Sequence, residues 1–144
     1  MSDRPQRASR ADFARYVSIN TRWEDNDVYG HVNNVVYYSF FDTAVNGILV
    51  DAGALDLARS DIVGLVVSNS CDYFVSVAFP ENIEVGVRVA HIGRTSVRYQ
   101  LGVFRAGEDD AAAQGAFTHV YVRRATQKPV EIPADVRLVL EGMR

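Results

Sequence analysis

Residues 34–52 (NVVYYSFFDTAVNGILVDA) constrain the fold more than any other stretch of the chain. They contain no proline and no glycine before Gly47, and Gly53 follows as a C-terminal cap. Val35, Val36, Tyr37, Tyr38, Phe40, Phe41, Ala44, Val45, Ile48, Leu49 and Val50 cover nearly the whole circumference of a helix. The polar residues Ser39, Asp42, Thr43 and Asn46 fall at i, i+3, i+4 and i+7, a single narrow stripe read as a solvated or subunit-facing seam. A helix apolar on almost all sides must be buried on almost all sides. At 144 residues and 48% apolar composition the chain has the size of one domain with one core. The economical solution is a sheet wrapped around the helix, so the expected class is α+β: one long central helix and a curved antiparallel sheet.

The remaining sequence supplies strands. From 13 to 23, Phe13, Val17, Ile19 and Trp23 share one parity, and Tyr16, Ser18, Asn20 and Arg22 the other. Residues 62–77 form a long, valine-rich strand or strand pair. Ile83, Val85, Val87 and Val89 alternate with Glu84, Gly86, Arg88 and Ala90; Val97, Tyr99, Leu101 and Val103 do the same further on. A last strand over 116–124 places Phe117, His119 and Tyr121 on one face. Gly93-Arg94 and the patch 107–115 (GEDDAAAQG) mark turns, the second as an exposed hairpin loop. Pro133 opens a short closing helix over 134–140. Residues 1–12 lack apolar periodicity and are expected to be a mobile tail, leaving 13–144 as a single domain.

Charge and composition exclude several classes. Fifteen Lys and Arg against eighteen Asp and Glu give a net charge of −3 and a pI near 5.5. That excludes a strongly basic nucleic-acid binder and a polybasic membrane-binding surface. No run approaches the roughly 18 apolar residues of a membrane span, and the first 15 residues hold no signal-peptide core. Cys71 is the only cysteine, so no intrachain disulfide can form. These features fit a soluble, cytoplasmic protein.

The chemistry concentrates in residues 21–38, TRWEDNDVYGHVNNVVYY. Acids, a glycine, a histidine and two asparagines arrive just before the apolar helix. A helix N-terminus presents unpaired N–H groups and a partial positive charge. An oxyanion developing on a thioester or ester carbonyl can be held there. A carboxylate beside it can act on that carbonyl or on a water. Gly30 permits a tight turn or close approach of a substrate. Asp25 is read as holding the loop, and Asn33 and Asn34 as capping side chains. His91 and His119 are read as ordinary surface residues and Cys71 as a small core residue. The stretch Asp25–Gly30 fails as a calcium loop, because Tyr29 and Val36 fall where ligands are required. Three scattered histidines and one cysteine make no zinc spacing, and no GxGxxG, P-loop or G-x-S-x-G motif is present. Neither a metal nor a cofactor is expected.

Arg22-Trp23-Glu24-Asp25-Asn26-Asp27-Val28-Tyr29-Gly30-His31-Val32-Asn33-Asn34, with Tyr37 following, resembles the R-W-x-D-x-D-x-x-G-H-V-N-N-x-x-Y signature of hotdog-fold acyl-CoA thioesterases in the 4-hydroxybenzoyl-CoA thioesterase-like branch. The apolar helix, the turn 91–96 and the late Lys128-Pro129 and Ile132-Pro133 extend the resemblance over about residues 15–140. It implies a hotdog fold and hydrolysis of an acyl-CoA to free acid and CoA. It places the catalytic carboxylate on Asp27, the oxyanion N–H on Asn34 and the first-turn aromatic on Tyr37. His31 remains open between a general base and a loop histidine that bonds its own backbone and orients Asp27 or the helix start. Gly30, Tyr37 and Arg94 are the candidate substrate-binding residues. Arg88, Arg98, Arg123, Arg124 and Lys128 are further candidates for the CoA phosphates. A homodimer or homotetramer with the active site between subunits is also implied. Two rivals stand beside this reading: hydrolysis of an acyl group on a carrier protein, and a non-catalytic acyl-CoA binding module.

Overall fold

A computed structural model of the protein describes residues 5–144. Five strands, β1 (Arg15–Asn20), β2 (Ile62–Tyr73), β3 (Asn82–Ile92), β4 (Ser96–Arg105) and β5 (Ala113–Arg123), form one sheet in the order β1-β3-β4-β5-β2. Every neighbouring pair is antiparallel. The helix α1 (Val36–Asp51) enters between β1 and β2 in the chain and packs on one face of the sheet, touching β1, β2 and β3. A second helix, α2 (Ala134–Glu141), closes the chain behind Pro133. The class is α+β, as expected. Among the described residues no helix is long and apolar enough to cross a membrane.

Period-two alternation builds the inner face of the sheet. Ile83, Val85 and Val87 of β3 and Val97, Tyr99, Leu101 and Val103 of β4 are all fully buried. On α1 the buried residues are Tyr37, Phe40, Phe41, Ala44, Val45, Ile48 and Leu49, a stripe at i, i+3, i+4, i+7, i+8, i+11 and i+12. Burial all round is not what one protomer shows. Val35 is 62% exposed, Val50 is also exposed, and Val36 and Tyr38 are half-buried. A single sheet face covers one broad side of a helix, and the remaining apolar residues lie toward the β2 edge or solvent.

The helix begins two residues later than residue 34. Asn33 takes the capping role, its side chain accepting from the Val35 N–H at 3.1 Å and its carbonyl from the Val36 N–H at 3.0 Å. At the other end Gly53 (φ +73°) donates to the Val50 carbonyl at 3.0 Å, and Ala54 donates to that of Leu49 at 2.9 Å. This is the paired bonding that a left-handed residue after a helix allows.

Three expectations are corrected. The strand expected over 13–23 ends at Asn20, and Trp23 lies in a 3-10 turn, Trp23–Asp25. The expected mobile tail is docked from residue 7 onward, and residues 1–4 lie outside the described residues. The Arg7 Nε donates to the Ala111 carbonyl, the Arg10 N–H to that of Asp109, and the Arg10 guanidinium pairs with Glu84 at 2.8 Å. Phe13 fills the trough above Gly86 and Gly102, where any Cβ would come within 2.8 Å of its ring. Two glycines paired across β3 and β4 leave that trough, so an aperiodic segment finds a seat the sequence does not advertise. The patch 107–115 is only half a loop: Glu108–Asp110 are exposed, but Ala111, Ala112 and Ala113 are fully buried at the start of β5.

His119 is a fourth correction. It is 2% exposed, not a surface residue, and its ring lies between Phe117 and Tyr99 at centroid distances of 4.7 and 5.6 Å. Its Nδ1 has no hydrogen-bond partner, and Gly64 on β2 makes room for it: a Cβ there would meet the ring at 2.9 Å. Burial pushes the imidazole down to about 4. Unfolded, the same group titrates near 6.5, so the unfolded state binds a proton that the folded state refuses between those values. Stability should therefore be level above pH 6.5 and fall as pH drops toward 4, by about 3 kcal/mol from this group alone. Urea unfolding of the wild type and His119→Asn across that range measures the difference. Equal pH slopes would refute the assignment.

Candidate active site

The loop before α1 is a small hairpin. Asn26 and Val32 form an antiparallel bridge; the Asp27 N–H donates to the His31 carbonyl at 2.9 Å, and the Gly30 N–H donates back to the Asp27 carbonyl at 3.1 Å. Gly30 closes the turn at φ +84°, a conformation in which other side chains are strained. The hairpin is tied down by Asp25, which is 1% exposed. Its carboxylate accepts the Arg22 N–H at 2.7 Å and the Arg22 guanidinium at 2.8 and 3.1 Å, while its carbonyl accepts the Asn33 N–H at 2.9 Å. One buried residue thus joins the entry of the loop to the cap of the helix.

On that frame Asp27 faces a cleft of about 400 Å³ with His31, Asn34 and Tyr37. The opposite wall is the end of β2 and the turn beyond it, Tyr73–Ser76. The Asp27 Oδ1 accepts the Tyr29 N–H at 2.8 Å, which fixes the carboxylate's rotamer. The Asn34 N–H finds no acceptor among the described residues. His31 Nδ1 lies 4.0 Å from Asp27 Oδ1, beyond hydrogen-bond reach, and 3.4 Å from the Val32 carbonyl. Its ring stacks on Tyr29. Tyr37 is buried, edge-on to Phe40 and Tyr73, and burial pushes its phenol up to about 12, so it stays neutral.

Two sequence-predicted residues lie elsewhere. Gly30 borders a neighbouring hollow with Trp23, Asn26, Asp27 and Val28. Arg94 is not brought to the cleft: its guanidinium faces Glu131 at 3.4 Å, both exposed. The cleft sits where Tyr73 pairs with Ala113, whereas the Arg94 turn sits beside Tyr121, whose N–H donates to Thr95. Eight residues of strand separate them, about 26 Å. Within one chain Arg94 is therefore corrected away from this site.

Tyr73 is the residue that sequence reasoning missed. Its hydroxyl donates to the Asn34 carbonyl at 2.9 Å, steadying the peptide next to the free N–H. It stands 39 positions away, and only the end point of β2 reveals it. Cys71 is half-buried, and burial pushes its thiol up to about 11, so it carries no thiolate at neutral pH. Among the described residues no three His, Cys, Asp or Glu side chains gather as a metal site.

An aromatic-walled cleft lined by one carboxylate residue and by Asn34, whose N–H has no acceptor among the described residues, fits attack on a thioester carbonyl, and comparison with known proteins agrees. Residues 21–140 match the family model of the Thioesterase-like superfamily, and the chain belongs to that family. Its fold is that of the hotdog-fold thioesterases of the 4-hydroxybenzoyl-CoA thioesterase-like branch. The chain is similar to the PA5185 protein of Pseudomonas aeruginosa, with 50% identity, 96% of this chain and 97% of that one covered, and a TM-score of 0.95. The PA2801 protein of the same organism is 25% identical over 89% of this chain and 98% of that one, with a TM-score of 0.81. Slr0204, a 1,4-dihydroxy-2-naphthoyl-CoA thioesterase from Synechocystis, shares the fold at 16% identity, with 87% and 93% covered and a TM-score of 0.78.

Asp25→Ala should cost about 1.5–3 kcal/mol, because it removes a buried carboxylate that accepts three charge-assisted hydrogen bonds from Arg22 and so frees the loop. It should also lower turnover. Denaturant melts with a thioester assay check both effects together. Full activity in a destabilised variant would show that the loop keeps its shape without that carboxylate.

Proposed function

We propose that the protein hydrolyses the thioester of an acyl-CoA to the free acid and CoA. One observation carries this reading: Asp27 and Asn34 line the same cleft, and the Asn34 N–H has no acceptor among the described residues. The substrate carbonyl oxygen accepts from that N–H, where the first turn of α1 adds its partial positive charge. Asp27 then attacks the carbonyl carbon to give a mixed anhydride and CoA thiolate, and water cleaves the anhydride. Alternatively Asp27 takes a proton from a water that attacks directly. Both routes consume one water and release one acid and one thiol. Tyr37, neutral and wedged under the helix start, shapes the floor of the cleft. His31 acts through the loop backbone and its stack on Tyr29, positioning Asp27 without bonding to it.

The CoA ester is chosen because the fold serves such a substrate in the Synechocystis naphthoyl-CoA enzyme. The working unit is a dimer. β2 is an edge strand with exposed Leu65, Val66 and Val67, and Tyr73 at its end lines the cleft. An apolar edge of unpaired backbone groups calls for a partner strand, and a second β2 would complete the cleft wall and cover the open side of α1.

Asp27→Asn keeps size and shape and should lower kcat/KM by on the order of a thousandfold with an unchanged melting temperature. A free-thiol assay over an acyl-CoA series reads the first and a thermal melt the second. Near-normal turnover would end the assignment. Tight acyl-CoA binding by a wild type that releases no thiol would make the protein a binding module, and turnover confined to acylated carrier protein would move the substrate. Single turnover in heavy-oxygen water tests the anhydride route, since water attacking the Asp27 carbonyl of the anhydride leaves label in Asp27 and direct attack of water on the thioester cannot.

A further inference from the structure

A thioester held at Asp27 has two arms, the acyl group and the thiol's carrier chain, and two hollows meet at that residue. One is the cleft with Asn34 and Tyr37. The other is the hollow on the far side of the loop, about 370 Å³, lined by Trp23, Asn26, Asp27, Val28 and Gly30. We propose that this second hollow seats the pantetheine arm of the substrate and that Trp23 is its principal contact. The inference rests on the thioesterase reading above.

Trp23 is the only tryptophan in the chain and is 78% exposed. A side chain of that size in water is costly unless a partner covers it. It is also held in place. The 3-10 turn Trp23–Asp25 is anchored by buried Asp25, and Phe79 meets the indole at right angles with centroids 6.0 Å apart. Phe79 is fixed in turn, its N–H donating to the Asn26 side chain at 3.0 Å. Val28, 95% exposed, stands on the same hollow, and Gly30 leaves its floor open, with no atom within 4 Å of where a Cβ would be.

The chemistry of the walls selects the occupant. The nearest cation, Arg22, is already committed to Asp25 at 2.8 Å and Glu24 at 3.2 Å, so it is not free for phosphate. Asp27 and Glu24 add negative charge, which repels a nucleotide. An uncharged chain of amides and methylenes suits an indole face and a valine, and a pantetheine arm is such a chain. CoA and acyl carrier protein both present it, so the hollow recognises what the two have in common.

The test compares one acyl group on three thiols: CoA, pantetheine and 2-mercaptoethanol, which lacks the amides. Trp23→Ala should raise KM about tenfold for the CoA and pantetheine esters alike. It should move kcat/KM for the mercaptoethanol ester less than twofold, and Trp23→Phe should recover most of the loss. Titrating wild-type protein with CoA, and separately with pantetheine, should shift the fluorescence of the single tryptophan. Equal losses on all three esters would mean that Trp23 serves the fold. A loss on the CoA ester alone would assign it to the nucleotide. Fluorescence unmoved by CoA, or a changed oligomeric mass in Trp23→Ala, would make the hollow a subunit contact. Each of these outcomes overturns the proposal. Asp27→Asn run in parallel keeps the readings apart: its turnover tests the thioesterase reading, whereas the fluorescence titration needs no turnover.

Discussion

The seating of α1 on the sheet governs everything near the site. Seven side chains from Tyr37 to Leu49 bury one face of the helix against β1, β2 and β3, which fixes its axis and therefore where its first N–H groups point. The helix start cannot be placed by propensity, because the stretch from Asn34 into the first turn is polar or β-branched up to Val36. Asn33 caps it, and Asp25 holds Asn33 through the backbone. The carboxylate of Asp27, two residues beyond Asp25, is thereby carried to the helix end by the same buried anchor. A change at Asp25 reaches the reacting groups without touching substrate.

Much of this could be read from the sequence, for a definite reason. β3 and β4 are central strands with one buried face, so their alternation is strict, and α1 carries a full apolar stripe. The loop motif is local: Asp27, Gly30, His31 and Asn34 lie within eight consecutive residues, and one hairpin brings them together. What could not be read depends on packing between distant segments. Residues 7–12 show no period, yet they dock, held by bonds from Arg7 and Arg10 and led in by Phe13, which sits in the trough left by Gly86 and Gly102. The three alanines after Asp110 look like loop composition, but the fold needs small residues where the chain re-enters the sheet beside Phe74. Tyr73 reaches Asn34 only because β2 stops where it does. Arg94 is one of several cations that could meet CoA phosphates, with no motif to place it, and the length of the β4–β5 ladder separates it from the cleft.

His119 illustrates a different limit. Its alternation on β5 with Phe117 and Tyr121 put it on one face with two aromatics, which was the correct geometry, but the residue type argued for the surface. The pairing of β5 with β2 decides the matter, since Gly64 opposite Tyr121 leaves space that an imidazole ring fills. A polar residue in that slot leaves Nδ1 unbonded and lowers the affinity of the ring for a proton. The core therefore contains one group whose charge state is set by packing alone. It lies under α1 at Asp42, 4.0 Å away, well along the helix from its catalytic end.

The cleft and the second hollow differ in the way their shared residue requires. On the Asn34 side Tyr37 is buried and Phe74 half-buried, while Tyr29 and Tyr73 stand exposed at the rim, and an N–H without an acceptor among the described residues is available to a carbonyl oxygen. On the Trp23 side the walls are exposed, and nothing there stabilises charge, since Arg22 is neutralised by Asp25 and Glu24. A thioester laid across Asp27 with its carbonyl toward Asn34 directs its sulfur toward the loop. In the proposed reaction the departing thiolate would leave on the Trp23 side, whose walls are exposed to solvent. On the proposed mechanism, the difference between the two hollows around Asp27 would set the direction of the substrate as well as the place of reaction.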